Sequence, residues 1–299
     1  MAISYQAKET TTPIEVGELI DSVRKAYKGN GVEAMQAVAD KLQALATNRE
    51  YIRDALIAEL NRIAREQNLV SFAPQSFIIH RAPPFSLRLN LWLPPTGSAR
   101  KIEQEARVYS YDQAHDHNFS LLTVGAGGPG YKTRVFEYDF KSIDGYGGER
   151  VEMQHLEDTM LPMGKAMIYR PHRDIHVQIP PDAPSMSLNL LIEEKEIVDT
   201  PQYYFDLLTS SVVPMNDNEI GRRVSFLEAV GQFADENCAS LLFDVARQHK
   251  NPEIRAAAMH AIRTGFPERQ PEIETLAKAD GHPLVLRELR ASDPEAAHA

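Results

Sequence analysis

GKAMIYRPHRDIHVQI, residues 164–179, decides the fold. A short apolar run opened by Gly164 stops at Pro171, passes through a tight turn and restarts before His176, with apolar and polar side chains alternating through IHVQI. Alternation with a period of two marks a strand with one covered face, and a proline among turn-forming neighbours marks a break between strands. The same texture spreads in both directions. SFIIHRA (76–82), FSLRLNLWLP (85–94), ARVYSYD (106–112), YKTRVFEYDF (131–140), RVEMQHLE (150–157) and SMSLNLLIEE (185–194) read as further strands of about five to eight residues separated by turns. Many short strands between about residues 70 and 195 point to an all-β barrel or double-sheet jelly roll rather than a βαβ fold.

On either side the period changes to that of helices. VEAMQAVADKLQALA (32–46) places Val32, Met35, Val38, Leu42 and Leu45 on one stripe. REYIRDALIAELNRIARE (49–66) repeats this through Ile52, Leu56, Leu60 and Ile63, with Asn48 placed to cap it. A helical cap or self-association element is the reading. Beyond residue 218, GRRVSFLEAVGQF, ENCASLLFDVARQHK, NPEIRAAAMHAIRTG and PEIETLAKA are helical again. Arg223 and Arg255 stand 32 residues apart in matching contexts, and Asn251-Pro252 recurs 31 residues on as His282-Pro283. A period near 30 with paired helices is the sign of an α-solenoid, and NPEIRAAAMHAI resembles HEAT-like repeats. Two repeats make a short helical appendage. The tail ASDPEAAHA (291–299) is expected to fray. The expected organisation is α+β: a helical region over 1–68, a β-barrel over 69–200 and a helical region over 201–299.

Composition removes several function classes. The chain has 299 residues, 43% hydrophobic and 25% charged, enough to bury a real core. Thirty-two basic against 42 acidic side chains give a formal charge of −10, which provides no basic footprint for nucleic acid or an anionic membrane. No apolar run reaches the roughly 20 residues of a membrane helix, and MAISYQAKETTTPIEVGEL has neither the basic start nor the apolar core of a signal peptide. A cytoplasmic protein is expected. The single cysteine, Cys238, excludes an intramolecular disulfide and a cysteine-rich zinc site, and its apolar neighbours make it a packing residue.

Histidines carry the chemistry. Six of the ten, at 80, 115, 117, 155, 172 and 176, fall inside the strand-rich segment. In Ala114-His115-Asp116-His117-Asn118 the two imidazoles are two apart, so a strand presents both to one face with Asp116 turned outward. Neighbouring neutral imidazoles suit a first-row transition metal, and a third ligand must come from elsewhere. The bland alternative is a pair of strand histidines that satisfy buried hydrogen bonds.

Taken together, these motifs resemble the cupin family, whose first motif is HxH followed by a glutamate and whose second is a glycine-led strand followed by P-x-G-x-x-H. Pro171 and His176 keep the second spacing, with Arg173 where glycine is usual. The resemblance spans roughly 105–195 and implies a central cupin-type β-barrel, or double-stranded β-helix, flanked by helices. The glutamate positions are occupied by Leu121 and Leu122, which cannot bind a metal. The resemblance therefore implies a first shell of His115, His117 and His176, similar to the thiol dioxygenases, whose Fe(II) sits on three histidines. Glu137 is the alternative as a displaced carboxylate; His172 is expected beside the site or facing solvent, and His80 and His155 outside it. Loss of the glutamate is also what a cupin that merely binds a ligand would show.

Three neutral imidazoles leave the metal's charge uncompensated, so an anionic substrate ligand is favoured, with O2 as co-substrate at a neighbouring position. In FSLRLNLWLP, Ser86, Arg88, Asn90 and Trp92 share one strand face, so Arg88 and Asn90 can clamp a substrate carboxylate; an outward Arg88 in an exposed ion pair is the alternative. Arg134 and Asn189 are further binding candidates, and Tyr111 and Tyr169 candidate proton donors. VGAGGPGY (124–131) lacks the lysine of a phosphate loop and reads as a wide turn. The expected function is a mononuclear non-haem Fe(II) oxygenase acting on a small thiol or amino-acid-like anion. The alternatives are a metal-dependent lyase or isomerase on the same scaffold, or a non-catalytic ligand-binding or assembly module. Self-association through the helical flanks is expected, and no nucleic-acid or membrane partner.

Overall fold

The computed structural model describes residues 2–7, 11–65, 76–215 and 219–290. The expected fraying of 291–299 and the boundary near residue 68 lie outside these. The fold is α+β, a two-sheet antiparallel jelly-roll core with flanking helices. The chain divides into two compact units, one of residues 1–140 with 152–198, the other of 141–151 with 199–299.

The first unit carries β1 (Ile3–Tyr5), α1 (Val16–Ala26), α2 (Gly31–Ala46), α3 (Arg49–Arg65), β2 (Ser76–Ala82), β3 (Phe85–Trp92), α4 (Ala99–Tyr109), β4 (Ala114–His115), β5 (Ser120–Gly127), β6 (Lys132–Glu137), β7 (Gln154–Met160), β8 (Ala166–Tyr169), β9 (Asp174–Ile179) and β10 (Ser185–Ile192). Six strands form one antiparallel sheet in the order β1-β8-β5-β10-β3-β2, and β4-β9-β6-β7 pair in the second.

The six-stranded sheet is covered on both sides, and strand parity sorts its residues. Leu87 and Leu89 of β3, Leu122 and Val124 of β5, Ile168 of β8 and Leu188 and Leu190 of β10 pack with Leu19, Val23, Met35, Leu42 and Leu45 of α1 and α2 in one core. Their alternates Trp92, Leu121, Met167, Tyr169 and Leu191 belong to a second core with Tyr111, Tyr131 and Val135, inside the jelly roll. The alternation in FSLRLNLWLP therefore places the Arg88 and Asn90 face inward. Truncating one of these fully buried leucines to alanine removes both transfer energy and packing, typically about 2–5 kcal/mol.

Local signals fix the helices. Asn30 caps α2 by accepting from the Glu33 amide at 3.1 Å while its Nδ2 donates to the Glu33 carboxylate at 3.0 Å. Asn48 accepts from the Tyr51 amide at 3.0 Å, as the sequence places it. On α3 only Ile52 is buried; Leu60 and Ile63 of the same stripe are exposed.

One strand expectation and one turn expectation are corrected. ARVYSYD ends a helix: α4 runs from its Ser98 cap through Tyr109 and stops at Ser110, whose φ of +53° is left-handed. Lys101–Glu105 and Glu103–Arg107 pairs one turn apart support it, so helical pairing overrides the Val108/Tyr109 alternation. VGAGGPGY is strand through Gly127, and only Gly128 and Gly130, both at positive φ, make the turn.

The second unit holds the β11 (Tyr203–Asp206) and β12 (Ser211–Pro214) hairpin and α5 (Glu219–Phe233), α6 (Glu236–Gln248), α7 (Pro252–Gly265), α8 (Gln270–Asp280) and α9 (Pro283–Arg290). Asn251 accepts from the Glu253 and Ile254 amides, with Pro252 at the first turn of α7. His282 accepts from the Leu284 amide at the start of α9, so the repeated X-Pro pairs both open helices. An alanine-rich α7 approaches α5 closely: a side chain at Gly231 meets Ala261 Cα at 2.7 Å. Among the described residues, no helix is long and apolar enough to cross a membrane.

Candidate metal centre

His115 ends β4 and His176 lies in the middle of β9, and the two are register partners across that antiparallel pair. His117 follows two residues later. The ring centroids of His115 and His176 stand 4.3 Å apart, those of His117 and His176 5.0 Å, and those of His115 and His117 5.1 Å. One ring nitrogen from each lies within 4.8 Å of the others, and all three residues are buried.

Neighbouring groups hold this arrangement. Asp116, expected to face outward, is fully buried and accepts a hydrogen bond from the Tyr138 hydroxyl at 2.6 Å. The two-residue spacing still brings both imidazoles to the centre, because buried Asp116 is anchored from the opposite side. His117 stacks on Phe119 at 4.5 Å. The His115 Nδ1 lies 3.0 Å from the Gln113 carbonyl, which can only accept, so the ring proton sits on Nδ1 and a lone pair on Nε2. Burial, then the neighbouring His115 and His117 and finally Arg88, hold His176 well below the usual imidazole range. His176 is therefore neutral at pH 7, as ligation requires.

A cavity of about 150 Å³ opens onto the three rings. Arg88, Asn90, Tyr131, Thr123, Leu121 and Gln178 are among its walls. Arg88 is the anomaly. Its Nε is buried without a hydrogen-bond partner, and the guanidinium forms no ion pair among the described residues. Burial lowers its pKa to about 10, against a small opposing effect of Tyr131, so it stays charged. A half-buried cation whose Nε is cut off from water without a partner is costly to hold unless something else supplies the negative charge.

The other residues singled out from the sequence divide. Asn90 reaches the cavity wall and accepts from the Ser76 hydroxyl at 2.9 Å. Asn189 also reaches it, but its amide is occupied by the Thr123 hydroxyl at 2.6 Å and the Arg88 carbonyl at 3.2 Å, so it pins strands together. Tyr111 lies off the cavity wall, donating to the Leu93 carbonyl at 2.9 Å with its ring beside Tyr109 and Trp92. Tyr169 is packed behind His176, its ring 4.2 Å away, with its hydroxyl off the cavity wall. Arg134 points away: Thr133 and Val135 on either side of it turn inward, and Val135 is the register partner of His176.

The alternative ligands are likewise placed elsewhere. Glu137 pairs with Arg170 and Arg173, each at 3.1 Å; burial raises its pKa, but the two guanidiniums outweigh it and leave the carboxyl low. His172 stacks on Phe140 at 3.9 Å. With a φ of +53°, His172 is also the left-handed residue of its turn, which is why Arg173 can stand where the resemblance expects glycine. His155 pairs with Asp158 at 2.8 Å on the surface. Leu121 lines the cavity, while Leu122 faces the helices.

Sequence reading missed Tyr131, Thr123 and Gln178. Gln178 was within reach, two residues after His176 on an alternating strand. Tyr131 follows a glycine turn and opens the 131–140 run, on the same parity as the buried Thr133 and Val135. Burial pushes its phenol up to about 12, against the Thr123 and Tyr169 hydroxyls and Arg88, so it remains a proton donor at neutral pH.

Three buried imidazoles converging without a carboxylate are chemically suited to a first-row divalent metal such as Fe(II), Co(II) or Zn(II), and to none of the hard oxygen-seeking cations.

No protein-family profile matches the chain, and no curated protein matches it. Among solved structures it is similar to the DMSP lyase DddQ from Ruegeria pomeroyi DSS-3, at 12% identity and a TM-score of 0.29 over 63% of this chain and 77% of that one. It is also similar to a cupin 2 domain-containing protein from Halorhodospira halophila, at 13% identity and a TM-score of 0.22 over 43% and 70% of the two chains. FeII HppE matches at 9% identity and a TM-score of 0.23 over 38% and 47%. Likeness at this level carries no chemistry over to this chain.

Proposed function

We propose that the chain is a metal-dependent enzyme of cupin type in which His115, His117 and His176 hold one divalent transition metal, Fe(II) foremost, beside a cavity for a small anionic substrate. The observation that carries this is the meeting of three buried imidazoles with Arg88, whose Nε is buried without a hydrogen-bond partner, in one cavity. A bound Fe(II) supplies Lewis acidity and the capacity to activate O2.

The protein's own groups do the rest. Arg88 offers a fork to a carboxylate, holding the substrate's far end while its other donor faces the histidines. Asn90 stands on the same strand face to share that contact. Leu121 and Trp92 contribute apolar wall, which excludes water and strengthens each polar contact inside. Tyr131 keeps its proton at neutral pH and can deliver it to a developing oxyanion or carbanion.

The favoured reaction is oxygenation of a small thiol or amino-acid-like anion. A lyase or isomerase is the second reading, supported by Tyr131, since a protonated phenol on the wall serves proton transfer without oxygen. Metal analysis after anaerobic purification, paired with oxygen uptake on a panel of small thiols and amino acids, tests the proposal. About one Fe per chain with stoichiometric oxygen consumption supports oxygenation. Product formation without oxygen uptake moves the assignment to the lyase or isomerase, and absence of bound metal overturns both.

A further inference from the structure

One polar side chain at the centre has no part in the chemistry described so far. Gln178 stands two residues beyond His176 on β9, on the same face, and is buried. Its Nε2 lies 3.1 Å from His176 Nδ1, and its Oε1 is buried with no hydrogen-bond partner. The other ring nitrogen, His176 Nε2, lies 3.0 Å from His117 Nε2.

In this orientation the Gln178 amide donates to Nδ1. The His176 proton is then on Nε2, where it bridges to His117. The arrangement is self-consistent without a cation and wrong with one, because a ligating Nε2 must present a lone pair to the shared centre. His115 already does so, its Nδ1 proton fixed by the Gln113 carbonyl. His176 needs the same help, and the group at hydrogen-bond distance is Gln178. A half-turn of its terminal carboxamide exchanges oxygen and nitrogen. The oxygen gives up no hydrogen bond in leaving its present place, and after the turn it accepts from Nδ1–H.

We propose that Gln178 is a positioning residue that selects the ligating tautomer of His176, its carboxamide turning over when a divalent cation enters among the three imidazoles. This rests on the metal-centre reading above. The partner on the far ring nitrogen fixes the direction in which a ligand imidazole presents its lone pair, and loss of such a partner weakens metal binding on the order of 10–100-fold.

Zn(II) affinity, measured on the full chain by competition with a chromophoric chelator, tests this with wild type, Q178L and Q178E. Q178L offers no acceptor and is expected to bind at least about tenfold more weakly. Q178E offers a permanent acceptor that needs no turn and is expected to bind at least as tightly as wild type. Nitrogen-15 histidine spectra of the Zn(II)-loaded wild type are expected to show His176 protonated on Nδ1. A loss smaller than about tenfold in Q178L, a Q178E weaker than wild type, or a His176 protonated on Nε2 overturns the proposal. Circular dichroism checks folding, and should Q178L fail to fold, Q178E and the spectra decide alone. A wild type that binds no Zn(II) defeats the metal-centre reading itself, a result distinct from a wild type that binds while Q178L is indifferent.

Discussion

His115 and His176 face each other as Cα partners across β4 and β9, with ring centroids 4.3 Å apart. A single backbone register therefore joins two motifs about 60 residues apart in sequence, and it is the register, more than the loops, that builds the centre. His176→Ala is expected to abolish Zn(II) retention. His172→Ala is expected to leave it within about twofold, because that ring stacks on Phe140 outside the cluster. Metal content after gel filtration reads both. Equal loss in the two variants would show that the third ligand is wrongly assigned.

Arg88→Met separates function from stability. The Nε is buried without a hydrogen-bond partner and the guanidinium has no ion pair among the described residues, so an apolar replacement of similar length relieves a desolvation penalty. A gain of about 1–2 kcal/mol in urea unfolding is expected. The same change is expected to lower kcat/KM for an anionic substrate about 100-fold, close to 3 kcal/mol. A destabilised variant would mean that Arg88 is already compensated within the fold.

In the second unit, Arg255 and Asp280 form a nearly buried pair, with Nε to Oδ2 at 2.6 Å and Nη2 to Oδ1 at 3.1 Å. Burial alone would raise the Asp280 carboxyl, but Arg255 and the His282 amide outweigh it and hold it below the usual range. A folded pKa below the unfolded one gives stability that is present above the unfolded value, near 4, and is lost as pH falls through the folded value. Asp280→Asn is expected to cost about 2–4 kcal/mol at pH 7 and to flatten the acid limb. Hydrogen exchange of α7 and α8 amides between pH 3 and 7 measures both effects.

Two glycines make a matched test of packing. A Cβ at Gly125 would meet the Pro162 carbonyl oxygen at 2.1 Å, whereas one at Gly17 in α1 meets nothing within 4 Å. Gly125→Ala is expected to destabilise by more than about 2 kcal/mol, because backbone must shift. Gly17→Ala is expected to be neutral or to stabilise by up to about 1 kcal/mol through helix propensity. Denaturant midpoints compare them directly.

How far the sequence reaches depends on whether a signal is local. The alternation in IHVQI and FSLRLNLWLP was legible because period two needs only its own residues, and it placed Arg88 and Asn90 on the face with Trp92. Which face was inward was not legible, since Ser86, Arg88 and Asn90 read as a solvent face although both sides of that sheet are covered. The HxH pair was legible by parity, but the burial of Asp116 was not, because Tyr138 comes from another segment 22 residues on. Tyr131 stands at the start of the 131–140 run in phase with the buried Thr133 and Val135, but that parity does not say which cavity its ring meets. ARVYSYD was misread because four residues of apparent alternation hid the end of a capped, ion-paired helix.

The central claim is that three imidazoles share one cation, and X-ray absorption at the metal edge of reconstituted wild-type protein tests it most directly. The expected result is one metal per chain with three histidine nitrogens at about 2.0–2.1 Å. A spectrum with oxygen donors only, or with a single imidazole, would contradict it.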